Sequence, residues 1–187
     1  MGSSRPFRTA ADYVIGIDPD AEQSGIALLV RQTGALTLQT LPFPELLDYI
    51  KLLSDRAKMI EKKSLCVVVE AGWMNDTANF HGYHHDNRGE KIARDVGRNN
   101  ETGRKIAEMC RHWAIPTAEV PPLPLRIGKF NLWSGPRGKI THDEFCTLTG
   151  CRQGRTNQEE RDAALLAWDA AGLPVRVIAA KRKKPQP

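Results

Sequence analysis

The chain has 187 residues, with 27 Lys and Arg against 22 Asp and Glu, and a net charge of +5 when histidine is neutral. At 41% hydrophobic and 26% charged residues it has the composition of one ordinary soluble domain, large enough to fold without disulfide staples. Its apolar runs, such as residues 65–69, are far too short to span a bilayer, which excludes a membrane protein; length and composition also exclude a fibrous chain and a mini-protein scaffold.

Residues 1–11 read as a flexible N-terminus. Residues 13–19 read as a strand ending in a turn at Asp18-Pro19-Asp20. Residues 24–31 and 35–41 read as two more strands, joined by a turn at Gln32-Thr33-Gly34. Together the three form an antiparallel meander. Over residues 43–62 the apolar positions Phe43, Leu46, Leu47, Ile50, Leu53, Ala57 and Ile60 have helical spacing. Residues 65–70 are a β-branched buried strand, and 71–89 a long loop rich in turn formers and aromatics. A helix follows over 91–113, with Gly97 and Gly103 as possible bends, then a fifth strand over 116–120. Pro121-Pro122-Leu123-Pro124 breaks structure, and 125–140 is basic and turn-rich. Thr141, with Glu144 three residues on, signals a capped short helix over 141–148. A last helix covers 158–171 and stops at Gly172 and Pro174. The order implies an α/β fold whose mixed five-stranded sheet joins a meander to parallel crossovers, flanked by helices.

The charge is unevenly spread. Residues 1–87 hold 8 basic and 11 acidic side chains, and residues 88–187 hold 19 and 11. Residues 12–178 are expected to form the domain and 179–187 a disordered basic tail, with Lys181, Arg182, Lys183 and Lys184 placed to touch phosphates or simply to aid solubility. Cys66, Cys110, Cys146 and Cys151 include no Cys-x-x-Cys pair, and no secretory signal is evident. The expected setting is a reducing cytoplasm.

Four acids carry the chemical argument. Asp18 ends an apolar strand on which Val14, Gly16 and Asp18 share one face. A carboxylate there is costly unless it is paired or holds a metal. Glu70 ends the fourth strand in the same way. If the two strands are parallel neighbours, both acids lie at the carboxyl ends, where open α/β sheets bind ligands. Glu159 and Asp162 are three residues apart on one face of the last helix, and Ala163, Ala164 and Ala167 let that helix press on a sheet. Four hard oxygen donors suit one or two Mg²⁺ or Mn²⁺ ions, which serve phosphodiester hydrolysis. Asp169, two turns further on, reads as a surface acid.

Gly16-Ile17-Asp18-Pro19 with Ser24-Gly25, then Val67-Val68-Val69-Glu70, then Glu159-x-x-Asp162-Ala163, resemble the RuvC family of Holliday-junction resolvases, of the ribonuclease H-like superfamily. The resemblance covers about residues 13–171 and fits a phage-type member as well. Residues 97–116 and Glu119-Val120-Pro121-Pro122 resemble the family's second helix and fifth strand. It implies a homodimeric, divalent-metal-dependent endonuclease that nicks four-way DNA junctions symmetrically. Asp18, Glu70 and Asp162 would be metal ligands. Glu159 would fill the first acid of a paired Asp-x-x-Asp, one methylene longer than usual. Asp20 also departs from the family, which commonly has Gly after the Pro.

The DNA-facing candidates lie between these motifs. Residues 126–155 hold six basic side chains, Arg126, Lys129, Arg137, Lys139, Arg152 and Arg155, against Asp143 and Glu144. Lys139 lies where the family has a DNA-contacting lysine, and Lys129 is a looser match. In the loop after Glu70, Trp73, Phe80 or Tyr83 could wedge at a strand crossover, or could pack onto the loop's own base or a dimer partner. His81, His84 and His85 lack the cysteine partners of a zinc site. The same acids would serve a nuclease for RNA–DNA hybrids, flaps or branched DNA, and a non-catalytic DNA-binding module could keep the fold. A sugar-kinase-like ATPase needs two such domains, and 187 residues are too few.

Overall fold

In the computed structural model, residues 7–74, 87–127 and 130–175 are described. The sheet is built from β1 (Tyr13–Asp18), β2 (Ser24–Val30), β3 (Ala35–Leu41), β4 (Leu65–Glu70) and β5 (Thr117–Val120), in the order β3-β2-β1-β4-β5. β1, β2 and β3 pair antiparallel, whereas β1, β4 and β5 pair parallel. This is the mixed five-stranded sheet that the element order implies, a meander joined to parallel crossovers.

Strand alternation divides the core between two faces. Ile15, Ile17, Ile26, Val67 and Val69 point to one side and pack with Leu46 and Ile50 of α1 (Phe43–Asp55) and with Ile106 and Cys110 of α2 (Asn87–His112). Val14 and Val68 point to the other side and meet Leu166 and Ala167 of α4 (Gln158–Ala170). α3 (His142–Thr149) adds Phe145 to a third cluster with Ala163 and Ala164. Asp18 and Glu70 therefore belong to the strand face that α4 covers.

α4 lies against the sheet at backbone distance. A Cβ on Gly16 would stand 2.0 Å from the carbonyl oxygen of Ala163, and one on Gly25 would stand 2.2 Å from that of Glu159. No side chain fits at either position, so two glycines on neighbouring strands set how close the helix comes. Asn157 and Glu160 start the helix with a reciprocal capping box, and Thr141 and Glu144 do the same for α3.

Three segments differ from the sequence expectation. The 43–62 helix widens into a π-helical stretch at Arg56–Glu61 and ends on Lys62 in a left-handed conformation. α2 runs through Gly97 and Gly103 without a break. Residues 125–140 contain a two-stranded hairpin, β6 (Arg126–Ile127) with β7 (Phe130–Asn131). The chain is also tied down before residue 12: Arg8 forms a two-pronged ion pair with Asp169 at 2.7 and 3.0 Å, and Thr9 N–H donates to the Ala170 carbonyl. Asp169 is thus an anchor for the N-terminal segment, not a free surface acid. Among the described residues no helix is long and apolar enough to cross a membrane.

Candidate active site

The parallel register of β1 and β4 pairs Ile17 with Val69, so Asp18 and Glu70 are the next residues along adjacent strands. Each keeps partial exposure at the carboxyl end of its strand. Withdrawal from water, together with the charges of Glu70 and Asp162, holds the Asp18 carboxyl well above the usual range. Burial and the charge of Asp162 push Glu70 up to about 7. Asp162 reaches the same place from α4, and the negative charge of Glu159 also bears on Asp18. All four predicted acids are thereby brought into one electrostatic neighbourhood.

One ammonium group stands among them. Lys139 Nζ donates to Asp162 Oδ2 at 2.5 Å, and Gln158 Nε2 donates to Asp162 Oδ1 at 2.7 Å. Burial alone would lower the Lys139 pKa, but Asp162, Asp18 and Glu70 outweigh it and hold the ammonium above its usual value. The loop before Lys139 is tight. Gly135 N–H donates to the Lys139 carbonyl at 3.0 Å, and Arg137 sits at φ 58°. A left-handed non-glycine residue costs roughly 1–2 kcal/mol, and here the strained turn lies two residues before Lys139.

The metal expectation can be tested on this donor set. Among the described residues, no three or more Asp, Glu, His or Cys groups already enclose an ion site. Asp162 is turned to Lys139, and Asp18 and Glu70 form an open half-site. Their oxygen-only chemistry and their repulsion, which one lysine only partly offsets, fit a hard divalent cation. Asp18 and Glu70 would hold it from the sheet, and Asp162 and Glu159 from the helix.

The remaining predicted residues fall into three groups. Arg137, Arg152 and Arg155 are exposed and form no ion pair among the described residues, which leaves them free for phosphates. Trp73 packs onto α2: a Cβ on Gly103 would meet its ring at 2.7 Å, and the Arg104 guanidinium lies 5.1 Å from the ring centre. Phe80, Tyr83, Lys129, the three loop histidines and the basic tail lie outside the described residues.

Two residues matter that sequence reasoning missed or left unexplained. Asp20 accepts from Glu22 N–H at 2.8 Å and from Asn99 Nδ2 at 3.0 Å, so it shapes the turn after Asp18 and ties it to α2. Asn99 Oδ1 in turn accepts from Ala21 N–H at 2.9 Å. Arg161 points its guanidinium at the Ile140 carbonyl (3.1 Å), the Thr156 carbonyl (2.5 Å) and Gln158 Oε1 (2.9 Å). From the helix that bears Asp162 it thus holds the backbone next to Lys139. Its place between Glu160 and Asp162 was the only signal in the sequence.

No protein-family model matches the chain, and no curated protein matches it. Among solved structures it is similar to T. thermophilus RuvC in complex with Holliday junction substrate, at 13% sequence identity and a TM-score of 0.43, over 86% of this chain and 96% of that chain.

Proposed function

We propose that the chain is a divalent-metal-dependent endonuclease for branched DNA, with the four-way junction as its first substrate, and that it works as a homodimer. The observation that carries this reading is the meeting of Asp18 and Glu70, on adjacent parallel strands, with Asp162 and Lys139 at one accessible edge. Mg²⁺ or Mn²⁺ bound there would supply activation of a water and neutralisation of the leaving oxygen. The chain's own residues would do the rest. Asp18 and Glu70 would fix the ion against the rigid sheet. Lys139, released from Asp162, would be free to meet the phosphate. Arg137, Arg152 and Arg155 would hold the flanking backbone. The paired acids are a general nuclease feature, so the preference for junctions draws support from the sequence resemblance rather than from the acids.

The deciding experiment is Mg²⁺-dependent cleavage of a synthetic four-way junction beside a flap, an RNA–DNA hybrid and linear duplex. Nicks at related points on opposing junction strands are expected. Asp18→Asn should abolish them and keep binding. Cleavage by that variant would overturn the mechanism, and faster cleavage of the hybrid or flap would reassign the substrate.

A further inference from the structure

Beside the acids lies a cavity of about 160 Å³ that the proposed chemistry does not use. Its walls are Leu123 and Leu125 after β5, Leu132 and Trp133 after the hairpin, and Leu165 of α4. Leu132 N–H donates to the Leu125 carbonyl at 2.8 Å, so two of the walls are fastened to each other. Leu123, Leu125 and Leu132 stay half-exposed. The rim differs from the walls, because Glu70, Lys139 and Asp162 form it. An apolar cavity of roughly 150 Å³ holds one benzene ring, whereas sites for larger ligands start near about 300 Å³. The space therefore suits a single flat ring next to an anionic group held at the rim.

We infer that this cavity takes one unstacked nucleobase of the cleaved strand, beside the phosphate held at the acid site. The inference rests on the endonuclease reading and adds a second contact to it. A base entering ring-first lays its faces on the leucines and keeps its polar edge at the open, polar rim, which avoids stranding buried donors and acceptors. Phosphate and base are covalently linked, so a charged rim that carries Lys139 and the proposed cation site, beside an apolar hole, matches a nucleotide in both parts. Unstacking is cheapest where pairing is already interrupted. The pocket would thereby favour branch points over continuous duplex, and its size favours a single-ring base.

The test is a cycle between pocket and substrate. Each nucleotide within two positions of the scissile phosphate is replaced in turn by an abasic site. Junction binding with Ca²⁺ and single-turnover cleavage with Mg²⁺ are measured for the natural chain and for Leu125→Phe and Leu132→Phe, two independent ways to fill the cavity, each checked for folding by its melting temperature. One abasic position should weaken the natural chain by about tenfold, and the filled variants should show that loss on the intact junction with no further loss at the abasic one. Equal abasic effects in natural and filled chains, or none at any position, overturn the pocket while leaving the endonuclease standing. Absence of junction binding and cleavage alike overturns both.

Discussion

Lys139 and Asp162 are joined at 2.5 Å, so the carboxylate that α4 would contribute to the proposed metal site is already engaged by the chain's own cation. The two are 40% and 15% exposed, which places the pair between a surface and a buried ion pair. Lys139→Met should destabilise the metal-free protein by about 1–2 kcal/mol, because three acids then face each other without a counter-charge. The same variant should gain more in melting temperature from Mn²⁺ than the natural chain gains. Scanning calorimetry with chelator and with Mn²⁺ measures both effects, and an unchanged Mn²⁺ gain would show that the lysine does not compete.

Glu70 gives the site a pH signature. Its carboxyl is pushed up to about 7 in the fold, against an ordinary value of 4.5. Between those values the folded chain keeps a proton that the unfolded chain has released. This contribution to stability is present below about pH 4.5 and is lost as pH rises through about 7, with an upper bound near 3 kcal/mol. Metal-free melting temperatures should fall across that window, and Glu70→Gln should flatten the fall. Saturating Mg²⁺ should flatten it as well.

Gly16 has no room for a methyl group. Gly16→Ala would drive a Cβ to 2.0 Å from a helix carbonyl, so α4 must retreat or the protein must lose stability. A cost of about 3 kcal/mol or more is expected, along with lost cleavage even where folding survives. Gly97→Ala, on α2 with nothing within 4 Å of the added atom, is the control and should be neutral or slightly stabilising.

Arg161 supports the site without reaching the acids through any hydrogen bond. Arg161→Met leaves the Ile140 and Thr156 carbonyls short of a charged donor, at a cost of about 2 kcal/mol. Cleavage should drop by more than junction affinity does, because Lys139 loses its fixed place while Arg137, Arg152 and Arg155 remain. Equal losses in both would limit Arg161 to overall stability.

Those three arginines are expected to set the salt dependence. If each meets a phosphate, changing all three to Ala should reduce the slope of log K against log salt by roughly 2.5. Titrations of labelled junction at several salt concentrations read this directly.

The sequence made the sheet and its acids legible for a simple reason. Strand alternation is local, so Val14, Gly16 and Asp18 had to share a face whatever lay around them, and the same held for the strand ending at Glu70. The capping box at Thr141 was equally local. What escaped depended on distant partners or on backbone geometry. Arg8 finds Asp169 across the whole chain. Arg161 earns its role from carbonyls on two other segments. The π-helical stretch after Asp55 has helical spacing in sequence and differs only in its hydrogen bonds. The leucines of the cavity were hidden in a stretch whose arginines and glycines dominated its character.

The backbone contact at Gly16 and Gly25 leaves α4 no closer approach to the sheet. A helix seated on side chains can slide by a fraction of a turn as those side chains repack, and with it every group it carries. This one rests on the strands themselves, so the points from which Glu159 and Asp162 depart lie at backbone distance from β1 and β2. How far each acid extends from that seat then depends on its side-chain length, and Glu159, with one methylene more than Asp162, has the longer arm.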